Sequence, residues 1–152
     1  MFNCPVDVIQ AHLCAINEGN EVGLGACYED AAVCMIDIEM PVRGRDAIVA
    51  AHLPYLDKST QLVSLGQMIE ESDGIAMCVQ RLAVQDARQP GQSALAFVTV
   101  CKILRQQANG EWLVAIDKPW GAWESAGDID SEDGLWSHRR FEARVGKDRG
   151  TR

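Results

Sequence analysis

The sequence predicts an α+β protein of one domain, in which helices cover one face of a mostly antiparallel sheet. Three observations support this fold class. Apolar residues recur at helical spacing early in the chain, and strands joined by short turns follow from residue 60 onward. The central strands are also apolar on both faces, which means that both sides of the sheet must be covered.

Three helices and one strand are predicted before residue 60. The first helix begins after Pro5, carries apolar residues at helical spacing and ends at Gly19-Asn20. Pro54 lies late in the third helix and predicts that this helix kinks or ends near His52. The predicted helices are residues 6–18, 20–28 and 46–57, the strand is residues 31–39, and residues 43–45 are a predicted loop.

Four strands follow, separated by turn residues. Ser72-Asp73-Gly74 is a hairpin signal, and further turns occur at Gln89-Pro90-Gly91-Gln92 and Ala108-Asn109-Gly110. Connections this short cannot contain a crossover helix, so the strands must be antiparallel neighbours in a meander. The predicted strands are residues 61–71, 75–86, 94–106 and 112–117.

Two strands of this meander are apolar on both faces. Met77 and Val79 share one face of the first of them, and Phe97, Cys101 and Ile103 share one face of the second. A sheet with one face in water would alternate apolar and polar residues. Because the helices can cover only one face, we expect a second copy of the chain to cover the other, as a homodimer through the sheet face.

The composition argues against several classes of partner. Fourteen Lys and Arg against 22 Asp and Glu give a formal net charge of −8, and an acidic surface repels nucleic acids and anionic membranes. No apolar run reaches the ~18 residues that would span a bilayer. The first residues lack the basic flank and apolar stretch of a signal peptide, so we expect a cytoplasmic protein.

Neither a metal nor a cofactor is expected. The six cysteines form no C-x-x-C pair and have no histidine at ligand spacing, which predicts free and mostly buried thiols. Residues 128–132 are acidic, but Asp133 and Arg139 occupy the positions at which a calcium loop needs Gly and Glu. The chain also has no P-loop and no G-x-G-x-x-G motif.

Four short motifs occur in order along the chain: Gly19-Asn20, Tyr28-Glu29-Asp30-Ala31-Ala32-Val33, Gly44-Arg45-Asp46-Ala47-Ile48 and Asn109-Gly110-Glu111-Trp112. Their order resembles the nuclear-transport-factor-2-like superfamily, which includes ketosteroid isomerase, scytalone dehydratase and the SnoaL polyketide cyclases. The resemblance covers residues 6–118 and implies a cone-shaped α+β barrel, in which a strongly curved sheet wraps around the N-terminal helices and encloses an apolar pocket. Residues 119–152 are left as a C-terminal tail, which we expect to be partly docked and disordered at its end.

The likeness to ketosteroid isomerase also implies where pocket residues lie. His12, Tyr28 and His52 fall on three tyrosine positions of that pocket, while Met35 and Val100 fall near its two essential acids. Since both acids are missing, steroid isomerisation is not expected. A neutral histidine can still accept a proton and a tyrosine hydroxyl can donate a hydrogen bond, so a dehydration, an enolisation or an epoxide opening stays open.

Two acids and a tryptophan complete the predicted site. Asp37 shares a strand face with Val33 and Met35, which favours an inward carboxylate that replaces the missing base. If that face points outward, Asp37 is an ordinary strand-end charge. Asp117 is expected to face inside and Trp120 to form the rim of the pocket. The alternative for Trp120 is that it caps the sheet or fills the dimer contact.

Two functional hypotheses remain open. In the first, the chain is a cofactor-free enzyme that acts on an apolar organic molecule, with Asp37 and His12 as catalytic residues and Tyr28 and His52 lining the pocket. This hypothesis predicts a dry, closed pocket of at least ~300 Å³ and a titrating group whose pKa is shifted toward neutrality. In the second, it is a non-catalytic dimeric binding or interaction module. No pair of polar groups then converges in the cone, and the histidines titrate near a pKa of about 6.5.

Overall fold

The structure is a computed structural model that describes residues 1–36, 40–56, 58–89 and 91–119. The predicted base Asp37, the predicted rim residue Trp120 and the predicted tail beyond Pro119 lie outside the described residues. The helices are α1 (Pro5–Glu18), α2 (Glu21–Ala26) and α3 (Arg45–His52), with a 3₁₀ turn at Leu53–Tyr55. The strands are β1 (Tyr28–Cys34), β2 (Val42–Arg43), β3 (Thr60–Ser72), β4 (Ile75–Asp86), β5 (Ala96–Gln106) and β6 (Trp112–Lys118).

These strands form one curved sheet in the order β2-β1-β6-β5-β4-β3. The four strands β3 to β6 are the predicted antiparallel meander. At the other end of the sheet, β2 pairs antiparallel with β1, and β1 pairs parallel with β6. The predicted α+β class with a mostly antiparallel sheet is therefore confirmed.

The first helix begins and ends where the sequence predicts. Pro5 lies in the first turn, where a missing backbone N–H costs nothing, and Val8 and Ile9 are fully buried against the sheet. Gly19 ends the helix with φ of 63°, and a Cβ at this position would lie 2.9 Å from the carbonyl oxygen of Leu56. The left-handed turn and the close backbone approach both require glycine.

Three element boundaries are informative. The third helix ends at His52 and continues as a 3₁₀ turn, as Pro54 predicted. β1 begins at Tyr28, three residues before the predicted strand, because Tyr28 already pairs with Val114 of β6. The short strand β2 replaces part of the predicted loop, since Val42 pairs with Cys34.

The face of the sheet that points away from the helices is apolar and exposed. Met68 pairs with half-buried Val79, and exposed Ile116 pairs with half-buried Ile103, which places these residues on one face. The exposed apolar residues of this outward face are Met68, Ile75, Leu95, Phe97 and Ile116, each 40–58% exposed. Of the described helices, none is long and apolar enough to cross a membrane.

Candidate functional site

A layer of polar side chains interrupts the apolar interior. Lys102 of β5 is only 4% exposed and lies between Val100, which belongs to one apolar cluster, and Leu104, which belongs to another. Gln80 of β4 and His12 of α1 are equally buried at the same level of the fold. This polar layer consists of His12, Tyr28, His52, Gln80, Lys102 and Asp117.

Asp117 is fully buried and holds the polar layer together. Its Oδ1 accepts a hydrogen bond of 2.6 Å from Lys102 Nζ, and its Oδ2 accepts one of 2.5 Å from the Tyr28 hydroxyl. His12 Nε2 lies 2.7 Å from the Tyr28 hydroxyl oxygen and 3.5 Å from Asp117 Oδ2. One carboxylate thus joins side chains from α1, β1 and β5.

The neighbouring charges fix the ionisation of this network. Burial alone would raise the pKa of Asp117, but the Lys102 ammonium and the contact with His12 hold that pKa well below its usual range. Burial and the adjacent carboxylate raise the pKa of Tyr28 well above its usual 10.0. Burial, together with the charge of Lys102, lowers the pKa of His12 to about 4. At neutral pH, Asp117 is therefore ionised while Tyr28 and His12 are neutral.

Ionisation in turn sets the direction of the hydrogen bonds. A carboxylate can only accept, so the single hydroxyl proton of Tyr28 goes to Asp117. The Tyr28 oxygen then accepts from Nε2–H of His12, which leaves the lone pair of that neutral ring on Nδ1. His12 therefore acts as a donor that holds Tyr28 in place.

His52 differs from the rest of the polar layer in having a fully buried polar atom without a hydrogen-bond partner among the described residues. It is 1% exposed, and its Nδ1–H donates a hydrogen bond of 2.8 Å to the carbonyl oxygen of Ile48, one turn earlier in α3. Its Nε2 consequently carries the lone pair, and this buried atom has no hydrogen-bond partner within the described part of the chain. Burial lowers the pKa of His52, so the ring is neutral at pH 7 and can accept a proton.

His12, His52, Gln80 and Lys102 line one cavity together with apolar side chains. The cavity has a volume of about 20 Å³. One water needs about 10–15 Å³, so the space fits one water or one hydroxyl group and is smaller than predicted for a whole organic ligand. The apolar lining includes Leu13, Ile16, Leu62, Leu82 and Val100.

The structure brings most of the predicted pocket residues together. Tyr28 and Asp117 share a hydrogen bond, and the ring centres of His12 and His52 lie 6.3 Å apart. Val100 lines the cavity beside them. The second hypothesis expected no such convergence of polar groups, whereas the cavity is far smaller than the ~300 Å³ that the first hypothesis expected.

The expected orientation of the first strand is wrong. Val33 pairs with exposed Ile116 on the outward face, whereas Cys34 pairs with buried Asp117 on the inward face. Met35 is half-buried and does not line the cavity. The parity that Asp37 shares with Val33 and Met35 therefore gives no support for an inward carboxylate.

Sequence reasoning missed Lys102 and Gln80. Both stand on the inward faces of strands in which every second residue is otherwise apolar, as in Val98, Val100 and Leu104 of β5. A lysine at such a position is almost never fully buried without a partner. The break in the apolar alternation was the available signal, and it also implied a buried acid such as Asp117.

The donor set of the polar layer does not favour a metal ion. His12, His52 and Asp117 each offer a ligand atom within 4.8 Å of the others. Both oxygens of Asp117, however, already accept hydrogen bonds, and the Lys102 ammonium is itself a cation 2.6 Å from Oδ1. A divalent ion would have to share a buried site with this ammonium or expel it, and either arrangement is costly.

No protein-family model matches the sequence, and no curated protein matches it at a significant level. Solved structures do match. An NTF2-like protein of unknown function from Pseudomonas putida superposes with a TM-score of 0.65 at 17% identity, covering 80% of this chain and 85% of that chain. A candidate ketosteroid isomerase from Shewanella frigidimarina superposes with a TM-score of 0.61 at 17% identity, covering 74% and 90%.

A candidate dehydratase of the NTF2-like family from Streptomyces avermitilis is also similar. Its TM-score is 0.59 at 10% identity, with 73% of this chain and 88% of that chain covered. Identities this low show a shared fold and assign no activity, because one fold supports many chemistries.

Proposed function

The chain has the nuclear-transport-factor-2-like fold, and on that premise we propose that it binds a small organic molecule and catalyses proton transfer on it without a cofactor. The observation that carries this proposal is the buried Nε2 of His52, which has no hydrogen-bond partner among the described residues and lies in the same cavity as the Lys102 ammonium. Together they offer a proton acceptor and a cationic donor to one ligand. The reaction class is the reversible removal of a proton from the carbon beside a carbonyl: His52 accepts the proton, the negative charge moves to the carbonyl oxygen, and return of the proton completes an exchange or an isomerisation.

In this proposal His52 is the general base. Its ring is neutral at pH 7 and is fixed by the bond from Nδ1–H to Ile48, so the lone pair needs no reorientation before it accepts a proton. Lys102 stabilises the negative charge that develops on the substrate oxygen, because two N–H groups remain beside the one donated to Asp117.

The rest of the polar layer positions Lys102. Asp117 holds the ammonium, Tyr28 holds Asp117, and His12 holds Tyr28. None of these three has to exchange a proton with the substrate in this scheme. The cavity has room for only one polar group, so the hydrocarbon part of a ligand would have to displace apolar lining side chains such as Leu82 and Val100.

The experiment follows deuterium uptake from D₂O into a panel of small ketones and hydroxyketones by proton NMR. His52→Asn keeps an N–H that can bond to Ile48 but removes the group at Nε2. We expect this variant to slow exchange by about 10²- to 10⁴-fold. Lys102→Met should slow it as well, whereas Lys118→Met is the matched control because Lys118 does not line the cavity.

A further variant separates His52 from the carboxylate base predicted by the sequence. If Asp37→Asn abolishes exchange while His52→Asn leaves it intact, Asp37 is the base and the role proposed for His52 is wrong. If the folded wild-type chain accelerates deuterium uptake into no compound of the panel, the catalytic part of the proposal is wrong.

A second candidate function is a dimeric interaction module. The observation that favours it is the exposed outward face of the sheet, where Phe97 is 58% exposed. An interaction module requires this face and not the cavity. Binding of a partner would then survive His52→Asn and be lost on substitution of Phe97.

A further inference from the structure

Among the described residues, the cavity presents one fully buried acceptor without a hydrogen-bond partner and one incompletely used donor. The acceptor is the lone pair on His52 Nε2, which is buried and unpartnered among the described residues. The donor is the Lys102 ammonium, which has three protons and gives one of them to Asp117. A group that satisfies both must donate one hydrogen bond and accept another. A carbonyl oxygen can only accept, so it would leave His52 Nε2 unsatisfied.

The charges of the polar layer cancel. Lys102 and Asp117 form a buried pair of opposite sign, and His12, His52 and Tyr28 are neutral at pH 7. An ionic ligand would therefore be buried with no counter-charge to offset its lost hydration. The site accordingly favours a neutral ligand.

The size of the cavity is consistent with the same group. Its volume of about 20 Å³ is enough for a single hydroxyl. The surrounding Leu13, Leu62 and Leu82 side chains are suited to the carbon that bears this hydroxyl.

We propose that the cavity is a subsite for one hydroxyl group of a neutral alcohol, whose O–H donates to His52 Nε2 and whose oxygen accepts from Lys102 Nζ. This inference rests on the proposed function only in taking the same cavity as the ligand site. It adds that the group recognised is the hydroxyl, as in an alcohol or an enol, and that the carbonyl form binds more weakly.

The test uses four unreactive or matched probes: cyclohexanol, cyclohexyl methyl ether, cyclohexanone and cyclohexanecarboxylate. The whole chain, labelled with ¹⁵N-histidine, is titrated with each probe, and the ¹⁵N shift of His52 Nε2 is followed. We expect cyclohexanol to produce a saturable upfield shift of Nε2. The ether, the ketone and the carboxylate should bind about tenfold more weakly or worse, because each leaves a buried group unpaired or uncompensated.

Variants distinguish recognition by His52 from non-specific contact. His52→Asn, followed through the ¹⁵N shifts of His12 in the same cavity, should bind the alcohol and the ether equally, while Lys118→Met should discriminate as the wild type does. Equal binding of alcohol and ether by the wild type would overturn the inference, as would the absence of any saturable shift, which is the result expected if the cavity accommodates only water.

The two proposals fail separately. If the chain catalyses deuterium uptake into ketones but binds the alcohol no better than the ether, the proposed function holds and the hydroxyl subsite is wrong. Hydroxyl discrimination without exchange on any carbonyl compound would retain the subsite and discard the catalysis.

Discussion

Lys102 and Asp117 form the most consequential contact of the molecule at the residue scale. Both side chains are at most 4% exposed, and they meet at 2.6 Å. A buried ion pair adds little net stability relative to apolar residues, but removing one partner leaves an uncompensated charge. The pair therefore fixes the position of the Lys102 ammonium more than it stabilises the fold.

Asp117→Asn tests this dependence. The substitution leaves the Lys102 ammonium buried without a counter-charge, and we expect it to lower the free energy of unfolding by about 3–5 kcal/mol in urea denaturation. Adding Lys102→Met should restore part of the loss. Asp86→Asn, in the exposed pair with Arg88, is the control and should have a much smaller effect. A small loss for Asp117→Asn would show that the ion pair does not organise the layer.

The histidines predict how stability depends on pH. His12 has a pKa of about 4 in the folded chain against its ordinary 6.5, so between these values the unfolded state binds more protons. The free energy of unfolding should reach its full value above pH 6.5. Between pH 6.5 and about 4 it should fall as the pH is lowered, by at most about 1.4 kcal/mol per pH unit for this one histidine. His52 acts in the same direction.

Urea unfolding at several pH values from 7 down to 4.5 measures this slope, above the range in which Asp117 contributes. His12→Gln should flatten the slope whatever its effect on stability at pH 7. An unchanged slope in that variant would mean that His12 is not buried as a neutral ring.

The residues of the site were predictable to different degrees. His12, Tyr28 and His52 could be placed because short motifs fix their distance from Gly19 and Gly44. Lys102 could not, because its burial depends on a carboxylate that lies 15 residues further along the chain. Alternation within one strand reveals which face a residue takes, but not the partner that permits a charge to be buried there.

The connection between α1 and β3 is the most specific contact at the scale of elements. The side-chain Nδ2 of Asn17 donates a hydrogen bond of 2.9 Å to the carbonyl oxygen of Leu62, and its Oδ1 accepts one of 2.8 Å from the backbone N–H of Leu62. These two bonds satisfy backbone groups on an edge strand of the sheet. They also fix the end of α1 beside the cavity, since Leu13, Ile16 and Leu62 all line it.

Asn17→Ala is expected to lower the free energy of unfolding by about 1–2 kcal/mol, because two partly buried backbone groups lose their partner. Urea denaturation measures this change, and the exposed neighbour Gln61→Ala is the control. A loss no greater than that of Gln61→Ala would show that solvent replaces both bonds.

Element types were predictable where local signals agree with tertiary contacts. Pro54 predicted the end of α3, and the short turns predicted the antiparallel meander. The start of β1 and the existence of β2 depend on pairing with Val114 and Cys34, which is information that no local window contains. The prediction that Val33 points inward was wrong for the same reason, because the register of β1 is set by its pairing with β6.

At the scale of the whole molecule, the exposed outward face predicts a homodimer. Phe97, near the start of β5, is 58% exposed and belongs to a set of apolar residues on this face that the described residues leave exposed. We expect light scattering to give twice the chain mass of 16.7 kDa. Phe97→Asp should give the monomer with an unchanged circular dichroism spectrum.

Val22→Asp is the control for this experiment, because Val22 is an apolar residue that is 85% exposed on α2 and outside the sheet. It should leave the dimer intact. A wild-type mass near that of a single chain would contradict the prediction and require the face to remain in water.

The parallel pairing of β1 with β6 has a consequence for biosynthesis. Tyr28 and Asp117 are separated by 89 positions, so a ribosome must deliver almost the entire body of the fold before the hydroxyl meets its carboxylate. Until then, Lys102 has no counter-charge, and β1 is not joined to the hairpins of the meander because β6 lies between them in the sheet. A nascent chain arrested before Trp112 therefore contains His12, His52 and Lys102 but lacks Asp117, so the polar layer can assemble only when β6 pairs with β1 and β5.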